Sequence, residues 1–261
     1  MVRHLLRGLL AACALCAATA MGQTAESHIT VAAAADLHQA LDEVIAAYQH
    51  DHPGSRIDVV YGSSGNLLTQ IEQGAPFEIF FSADSSYPQQ LVDHGKAGGT
   101  PVPYAFGHLV MWSASIDMKN VQVADLAQPK FGRIAIANPQ HAPYGKRAEQ
   151  ALRAAGVWAP LQSRLVFGDN IGQTAQFAQS GNAQVGLVAE SLVVNSPVKG
   201  SYAPVPPSLY EPLKQSFVLT KKGAENPLAQ DFAHYVQAGQ AGQGKAVLSR
   251  YGFKLPDEAK H

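Results

Sequence analysis

Cysteine is almost missing. Of 261 residues only Cys13 and Cys16 carry a thiol, and both fall within the first twenty. A chain cleaved after that segment has no disulfide and no thiol chemistry. Charge is also sparse, at 15% of residues, and nearly balanced: 19 basic side chains against 20 acidic, net −1. No overall positive field is available to hold a nucleic acid or an anionic membrane, so any partner must be recognised locally. One short uncharged apolar run, Gly8 to Ala20, opens the chain, and it is too short to span a bilayer. What is present, 46% apolar residues with 23 Gly and 16 Pro, suits a water-soluble globular protein of one large or two small domains. That composition excludes fibrous, collagenous and wholly disordered chains.

The first twenty residues read as a secretory signal: Arg3 and Arg7 precede the apolar run, which ends in the small-x-small sequence Ala18-Thr19-Ala20. Cleavage is expected near Ala20, with Gly22 and Ala25 as neighbouring alternatives. Leu10-Ala11-Ala12-Cys13 offers a lipoprotein acylation site instead, but little apolar sequence precedes it and apolar sequence continues after it. The expected working form is an exported, soluble, cysteine-free protein.

From Ile29 short β-type runs alternate with helical periodicity. Ile29 to Ala34 is followed by Leu37, Leu41, Val44, Ile45 and Tyr48 at helical spacing, and Pro53-Gly54 stops that helix. Arg56 to Tyr61 leads into Gly62-Ser63-Ser64-Gly65 and a helix carrying Leu67, Leu68 and Ile71. Phe77 to Phe81 leads into Ser82-Ala83-Asp84 and a helix around Pro88 to Val92. Three strand–loop–helix units in a row predict a parallel sheet covered by helices. After one long β-type segment, Tyr104 to Ser113, the alternation restarts. It gives strand Arg133 to Ala137, helix Tyr144 to Ala155, strand Leu165 to Phe167, helix Gln173 to Gln179 and strand Gln184 to Val188. Ser201 to Pro212 is proline-rich and expected to be irregular, Gln215 to Thr220 reads as a returning strand, and helices Pro227 to Ala238 and Gly244 to Tyr251 close the chain. The fold class is α/β in two lobes, and the cleft between them is the default site.

Four loops place small or polar residues directly before a helix: Ala35-Asp36, Gly62-Ser63-Ser64-Gly65, Ala142-Pro143-Tyr144-Gly145 and Asp169-Asn170-Ile171-Gly172. A helix start leaves backbone N–H groups unpaired and carries about half a positive charge, so it holds an anion with neutral groups alone. The hydroxyls of Ser63 and Ser64 add further donors. Each loop read singly is an ordinary helix cap; four of them, divided between two lobes, bring binding level with capping. Enzyme signatures are poor. Neither serine sits in a nucleophile elbow, and a secreted serine hydrolase using Ser63 or Ser64 needs a histidine within hydrogen-bond reach, which spacing does not indicate. Gly95-Lys96 and Gly145-Lys146 lack the rest of a phosphate loop, and Gly242-x-Gly244 follows no strand. His50 and His52 end a helix and read as solvated rather than metal-binding, and His141 is given no role.

The stretch Ile29 to Phe253 resembles the periplasmic molybdate-binding proteins of ABC importers. The resemblance is carried by Thr30-Val31-Ala32-Ala33-Ala34-Ala35, by Gly62-Ser63-Ser64-Gly65-Asn66-Leu67 and above all by Gln70 to Asp84. Asn138-Pro139-Gln140-His141-Ala142-Pro143-Tyr144-Gly145, Val185-Gly186-Leu187-Val188 and Arg250-Tyr251-Gly252-Phe253 add to it. It implies a two-lobed periplasmic binding protein fold, each lobe a mostly parallel sheet flanked by helices: 27–104 with 216–258 as lobe 1, and 105–215 as lobe 2. It implies a binding protein rather than an enzyme, without catalytic residues, cofactor or direct metal-cation ligand. The ligand would be molybdate or tungstate, and the partner an ABC permease in the inner membrane. The protein would be a periplasmic monomer, with no nucleic-acid partner. The implied oxyanion contacts are Asp36, Ser63, Ser64, Tyr144, Ile171 and Ala189. Of these Ser64 would donate hydroxyl and N–H, and Tyr144 and Ile171 their N–H groups.

Two positions depart from the family pattern: Asp36 stands where a serine is expected and Ala189 where a tyrosine is expected. A carboxylate ~4 Å from one ligand charge costs about 4 kcal/mol at an effective dielectric of 20, and a dianion roughly doubles that. Asp36 can turn away and cap the helix at Leu37 to Gln39, accept a hydrogen bond from a protonated oxyanion such as hydrogen phosphate, or itself be protonated. Ala189 leaves a gap for water or a larger ligand, which Tyr61, Tyr87 or Tyr144 would have to close. Rival ligands on the same fold are therefore phosphate, another oxyanion, a small carboxylate or a phosphorylated metabolite.

Overall fold

The computed structural model describes residues 27–239 and 243–258; the expected signal segment and Cys13 lie outside them. The chain opens with β1 (Ser27–Ala34), whose last four residues are buried on both faces, as a central strand covered on each side requires. Then follow α1 (His38–Asp51), β2 (Ser55–Gly62), α2 (Ser64–Glu72), β3 (Ile79–Ser82), α3 (Ser86–Asp93) and β4 (Val102–Gly107). The second half runs β5 (Leu109–Ser113), β6 (Ile134–Ala137), α4 (Pro143–Ala154), α5 (Trp158–Leu161), β7 (Leu165–Gly168), α6 (Ile171–Gln179), β8 (Val185–Ala189) and β9 (Ser201–Pro204). The return is β10 (Leu213–Leu219), α7 (Lys221–Ala224), α8 (Pro227–Gln237) and α9 (Gly244–Arg250).

The strands form two five-stranded sheets of matching order, β2-β1-β3-β10-β4 and β7-β6-β8-β5-β9. In each sheet one strand runs against the other four: β10 is antiparallel to both β3 and β4, and β5 to both β8 and β9. Each reversed strand is laid down just after the chain has crossed from the other sheet. The crossings fall at His108 and between Val205 and Leu213, and they lie side by side, because Gly107 pairs with Leu213. The segment read as one strand from Tyr104 to Ser113 is thus two strands in two sheets. The stretch expected to be irregular from Ser201 contains β9, an edge strand on β5. Helix α6 begins at Ile171, two residues before the expected Gln173, with Asn170 as its cap, the side chain accepting from Gln173 N at 3.0 Å.

These parallel strands aim their carboxyl ends, and so the helix starts that follow, into the space between the sheets. Ala34, Ala35 and Ala83 of the first lobe pack into the apolar cluster of the second, so the lobes touch around that space. Close approach is built in at Gly145 of α4, where a Cβ would stand 2.2 Å from the Ala137 carbonyl oxygen at the end of β6. Gly145→Ala is expected to lose about 1–3 kcal/mol in urea denaturation as α4 is pushed off β6. Gly99→Ala, where nothing lies within 4 Å of the added carbon, serves as control and should stay within about 0.5 kcal/mol.

Candidate functional site

A small cavity lies where the helix starts meet. It is lined by Ala34, Ala35 and Asp36 after β1, Gly62, Ser63 and Ser64 after β2, Ala83 after β3, Ala142, Pro143 and Tyr144 after β6, and Ile171 after β7. It is small, with about 200 Å³ of empty space. The hollow is tight, with little more free room than one water molecule fills. The lining contains no lysine, arginine or histidine. A wider groove, with about 820 Å³ of empty space, adjoins it between α1 and α6, bordered by Gln39, Tyr61, Gln173, Gln176 and Gln179. Both hollows draw on helix starts of the two lobes, the wider groove on those of α1 and α6, but the serine hydroxyls of Ser63 and Ser64 and the start of α4 line only the smaller one.

Each donor is free for a local reason. Ser64, Tyr144 and Ile171 stand in the first turns of α2, α4 and α6, where an N–H has no intrahelical acceptor. Pro143 occupies the first position of α4, where its missing N–H is no loss. The fully buried Ser64 hydroxyl accepts the Ala83 N–H at 3.1 Å, which leaves its own proton to donate.

Neither the short turn Ala35–Leu37 nor α1 has a side-chain cap bond, and the main-chain N–H groups of Asp36 and Leu37 act on the Asp36 carboxyl only as lesser contacts. Its Oδ2 instead accepts from Gln215 Nε2 at 2.6 Å, while Oδ1, buried, has no hydrogen-bond partner. Gln215 Oε1 accepts from the Tyr104 hydroxyl at 2.6 Å, and Gln215 Nε2 also reaches the Tyr144 hydroxyl at 3.3 Å. Burial pushes the Asp36 carboxyl up to about 6, against the opposing pull of hydrogen bonds from Gln215, Tyr144 and nearby main-chain N–H groups. The Tyr104 and Tyr144 phenols are raised well above their ordinary range, by burial first and then by the Asp36 charge.

Five of the six expected contacts, Asp36, Ser63, Ser64, Tyr144 and Ile171, line the cavity. Ala189 does not; it ends β8 inside the core of the second lobe, paired with Leu109. Tyr61 turns its hydroxyl to Asp42 at 2.6 Å and borders the wider groove. Neither Tyr61 nor Tyr87 is among the cavity-lining residues. The sequence reading missed Gln215, whose signal was a lone amide in a strand bound for the core, and Tyr104. It also missed the partner of Ser63: His141 Nδ1 stands 2.8 Å from the Ser63 Oγ, and the His141 carbonyl accepts the Gly65 N–H at 2.9 Å. A Cβ at Gly65 would come within 2.7 Å of that carbonyl oxygen, so the absent side chain is what lets the loops meet. Arg147 of α4 adds a second bridge between lobes, with Nη2 2.9 Å from Asp84 Oδ2.

The Ser63–His141 pair meets the histidine criterion set for a serine hydrolase, and Asp169 Oδ1 lies 3.7 Å from His141 Nε2. The arrangement nonetheless suits a latch rather than a nucleophile. The aspartate is beyond hydrogen-bond distance and its side chain is 64% exposed, so it neither fixes the ring nor holds an unscreened charge against it. Ser63 has ordinary extended backbone angles ahead of α2 (φ −77°, ψ 143°). Because serine and histidine come from different lobes, parting the lobes to admit an ester or peptide separates them.

Two α/β lobes joined by adjacent crossings, with a cavity of neutral donors between them, define a solute-binding protein of the two-lobed kind. Residues 29–254 match the model of the bacterial extracellular solute-binding protein family, and the chain belongs to that family. It is similar to the molybdate-binding protein ModA of Azotobacter vinelandii, 37% identical over 251 residues that cover 95% of this chain and 94% of that one. It is also similar to ModA of Rhodobacter capsulatus, 36% identical, with 88% and 89% covered. Among solved structures, the periplasmic molybdate-binding protein of Azotobacter vinelandii superposes with a TM-score of 0.81 at 33% identity, covering 87% of this chain and 99% of that one.

The titration of Asp36 has a consequence for stability. With a folded value near 6 above an ordinary 3.8, the folded state holds more protons between those values, so stability falls as pH rises through that window. Asp36→Asn should match the parent protein below pH 4 and exceed it by up to about 3 kcal/mol above pH 7, as read from urea midpoints across pH. A gain that shrinks with rising pH would contradict this.

Proposed function

We propose that this protein captures molybdate or tungstate in the periplasm and delivers it to an ABC permease in the inner membrane, acting as an exported monomer that makes and breaks no covalent bond. The observation that carries the reading is the convergence of helix starts from both lobes on one small cavity without a cation. A guest held there must be a compact anion able to accept from many neutral donors at once. The names of the relatives supply the choice among oxyanions.

In this reading the first lobe offers the Ser64 hydroxyl and N–H, and the second offers the N–H groups of Tyr144 and Ile171. Only the closed arrangement presents all of them, so the anion favours closure by its differential contacts. The Ser63–His141 and Asp84–Arg147 bridges hold the lobes once shut, and the adjacent crossings at His108 and before Leu213 serve as the hinge.

Calorimetry decides the ligand: molybdate and tungstate should bind at micromolar concentration or below, and sulfate and phosphate more weakly. Absence of binding by molybdate, or a preference for phosphate, would overturn the assignment. Ser64→Ala should weaken molybdate binding roughly 10- to 100-fold, the effect of losing a hydrogen bond to a charged group. His141→Ala removes a contact made only on closure, so stopped-flow fluorescence should show faster release, by roughly tenfold, with little change in association.

A further inference from the structure

We propose that Asp36 enters the complex as a neutral acid whose Oδ1 carries a proton and donates it in a hydrogen bond to the oxyanion, so that capture of a dianion takes up one proton from solution. The inference rests on the oxyanion reading above and adds to it the charge state of the site.

Asp36 is 1% exposed and lines the cavity. Its two oxygens are unlike: Oδ2 is held by the Gln215 amide at 2.6 Å, and Oδ1 has no partner. Gln215 is itself fixed by the Tyr104 hydroxyl, which holds its oxygen and so aims its amino group at Oδ2. An ionised carboxylate can only accept, and so can the oxygens of molybdate, so an ionised Oδ1 facing that guest would have two acceptors opposed in a buried site. A proton on Oδ1 turns the same atom into a donor and removes the repulsion. Oδ2 still accepts from Gln215 in the acid form, so no other contact needs to change.

The Tyr144 hydroxyl and the main-chain N–H groups of Asp36 and Leu37 favour the ionised carboxyl, but burial outweighs them and the surroundings offer no cation. The titratable groups facing the carboxyl are the phenols of Tyr104 on β4 and Tyr144 on α4. From β10 it meets the neutral Gln215, and from the turn after β8 the Ser191 hydroxyl, which donates to the Asp36 main-chain carbonyl at 2.7 Å. On α1, His38 lies at the surface beside Asp42, 3.8 Å away. Among the described residues no lysine, arginine or histidine pairs with Asp36. Burial already lifts its carboxyl to about 6, and an anionic guest shifts it further the same way.

Calorimetric titration of the protein with molybdate, repeated from pH 6 to 8.5 in buffers of different ionisation enthalpy, counts the protons exchanged. The expected result is uptake approaching one proton per molybdate near pH 7.5, with Kd rising toward roughly tenfold per pH unit. Asp36→Asn, a neutral donor of the same shape, should bind molybdate with no proton uptake and a Kd flat with pH. Binding by the parent protein without proton exchange would overturn this inference alone, as would a variant that keeps the parent's pH slope. Tighter binding of phosphate than of molybdate, again without exchange, would put the proton on the ligand and overturn it too. No heat with molybdate at any pH would overturn the functional reading and this inference together. Should the variant fail a thermal-melt check for folding, the proton count of the parent protein decides by itself.

Discussion

An anion leaving water for a protein interior loses its hydration shell, and the loss is prohibitive unless each of its oxygens finds donors already in place. Lysine or arginine could provide them only by bringing a second ion to be desolvated. Helix starts avoid that difficulty, since their N–H groups are unpaired by geometry and held by the helix itself. The architecture follows from this constraint. Parallel strands put helix starts at one edge of each sheet, two sheets of matching order face those edges toward each other, and residues as small as Ala35, Gly62 and Ala142 let a guest reach the backbone.

The same constraint explains why the one acid in the cavity is so heavily tied. Asp36 belongs to the first lobe and Tyr144 to the second, while Gln215 and Tyr104 lie on β10 and β4, the paired strands at the crossings. A buried polar chain of this kind is stable only when every member is satisfied. Here all are, except Oδ1. The exception belongs to a residue that lines the cavity, which is the observation the protonated form of Asp36 accounts for.

Much of this was legible in the sequence, and the parts that were not share a cause. Helix starts after Gly62, Ala142 and Asp169 could be read because small or polar turn residues precede an apolar helical period, and both signals are local. The split at His108 could not, because its one mark, Gly107, reads equally as a bulge within a single strand and only the second sheet decides where the segment breaks. Strand β9 escaped because four residues ending in a proline, at an edge, carry no periodic signal. Ala189 came from the resemblance rather than from any property of an alanine, and its place in the core of the second lobe is set by β5, which pairs with β8. Ser63 with His141, and Asp36 with Gln215, join residues 78 and 179 positions apart. No spacing rule links side chains that meet only after two lobes have folded and closed.

Closure itself rests on few contacts, and their strength fits a molecule that must also reopen. Across the cleft run the Gly65–His141 backbone bond, the Ser63–His141 pair, the Ser191 bond to the Asp36 carbonyl and the Asp84–Arg147 ion pair. Each hydrogen bond contributes about 1 kcal/mol net. The ion pair contributes modestly against the cost of desolvating Arg147, whose buried Nε is left without a partner. These bonds are individually weak, whereas donors aimed at one anion from both sides add a term that exists only when both lobes surround it. A shift from mostly open to mostly closed takes about 5 kcal/mol of differential binding, and two or three charge-assisted hydrogen bonds made only in the closed form reach that range. Stronger bridges between the lobes would raise affinity only by slowing release, and a protein that hands its cargo onward gains nothing from a cleft that will not reopen.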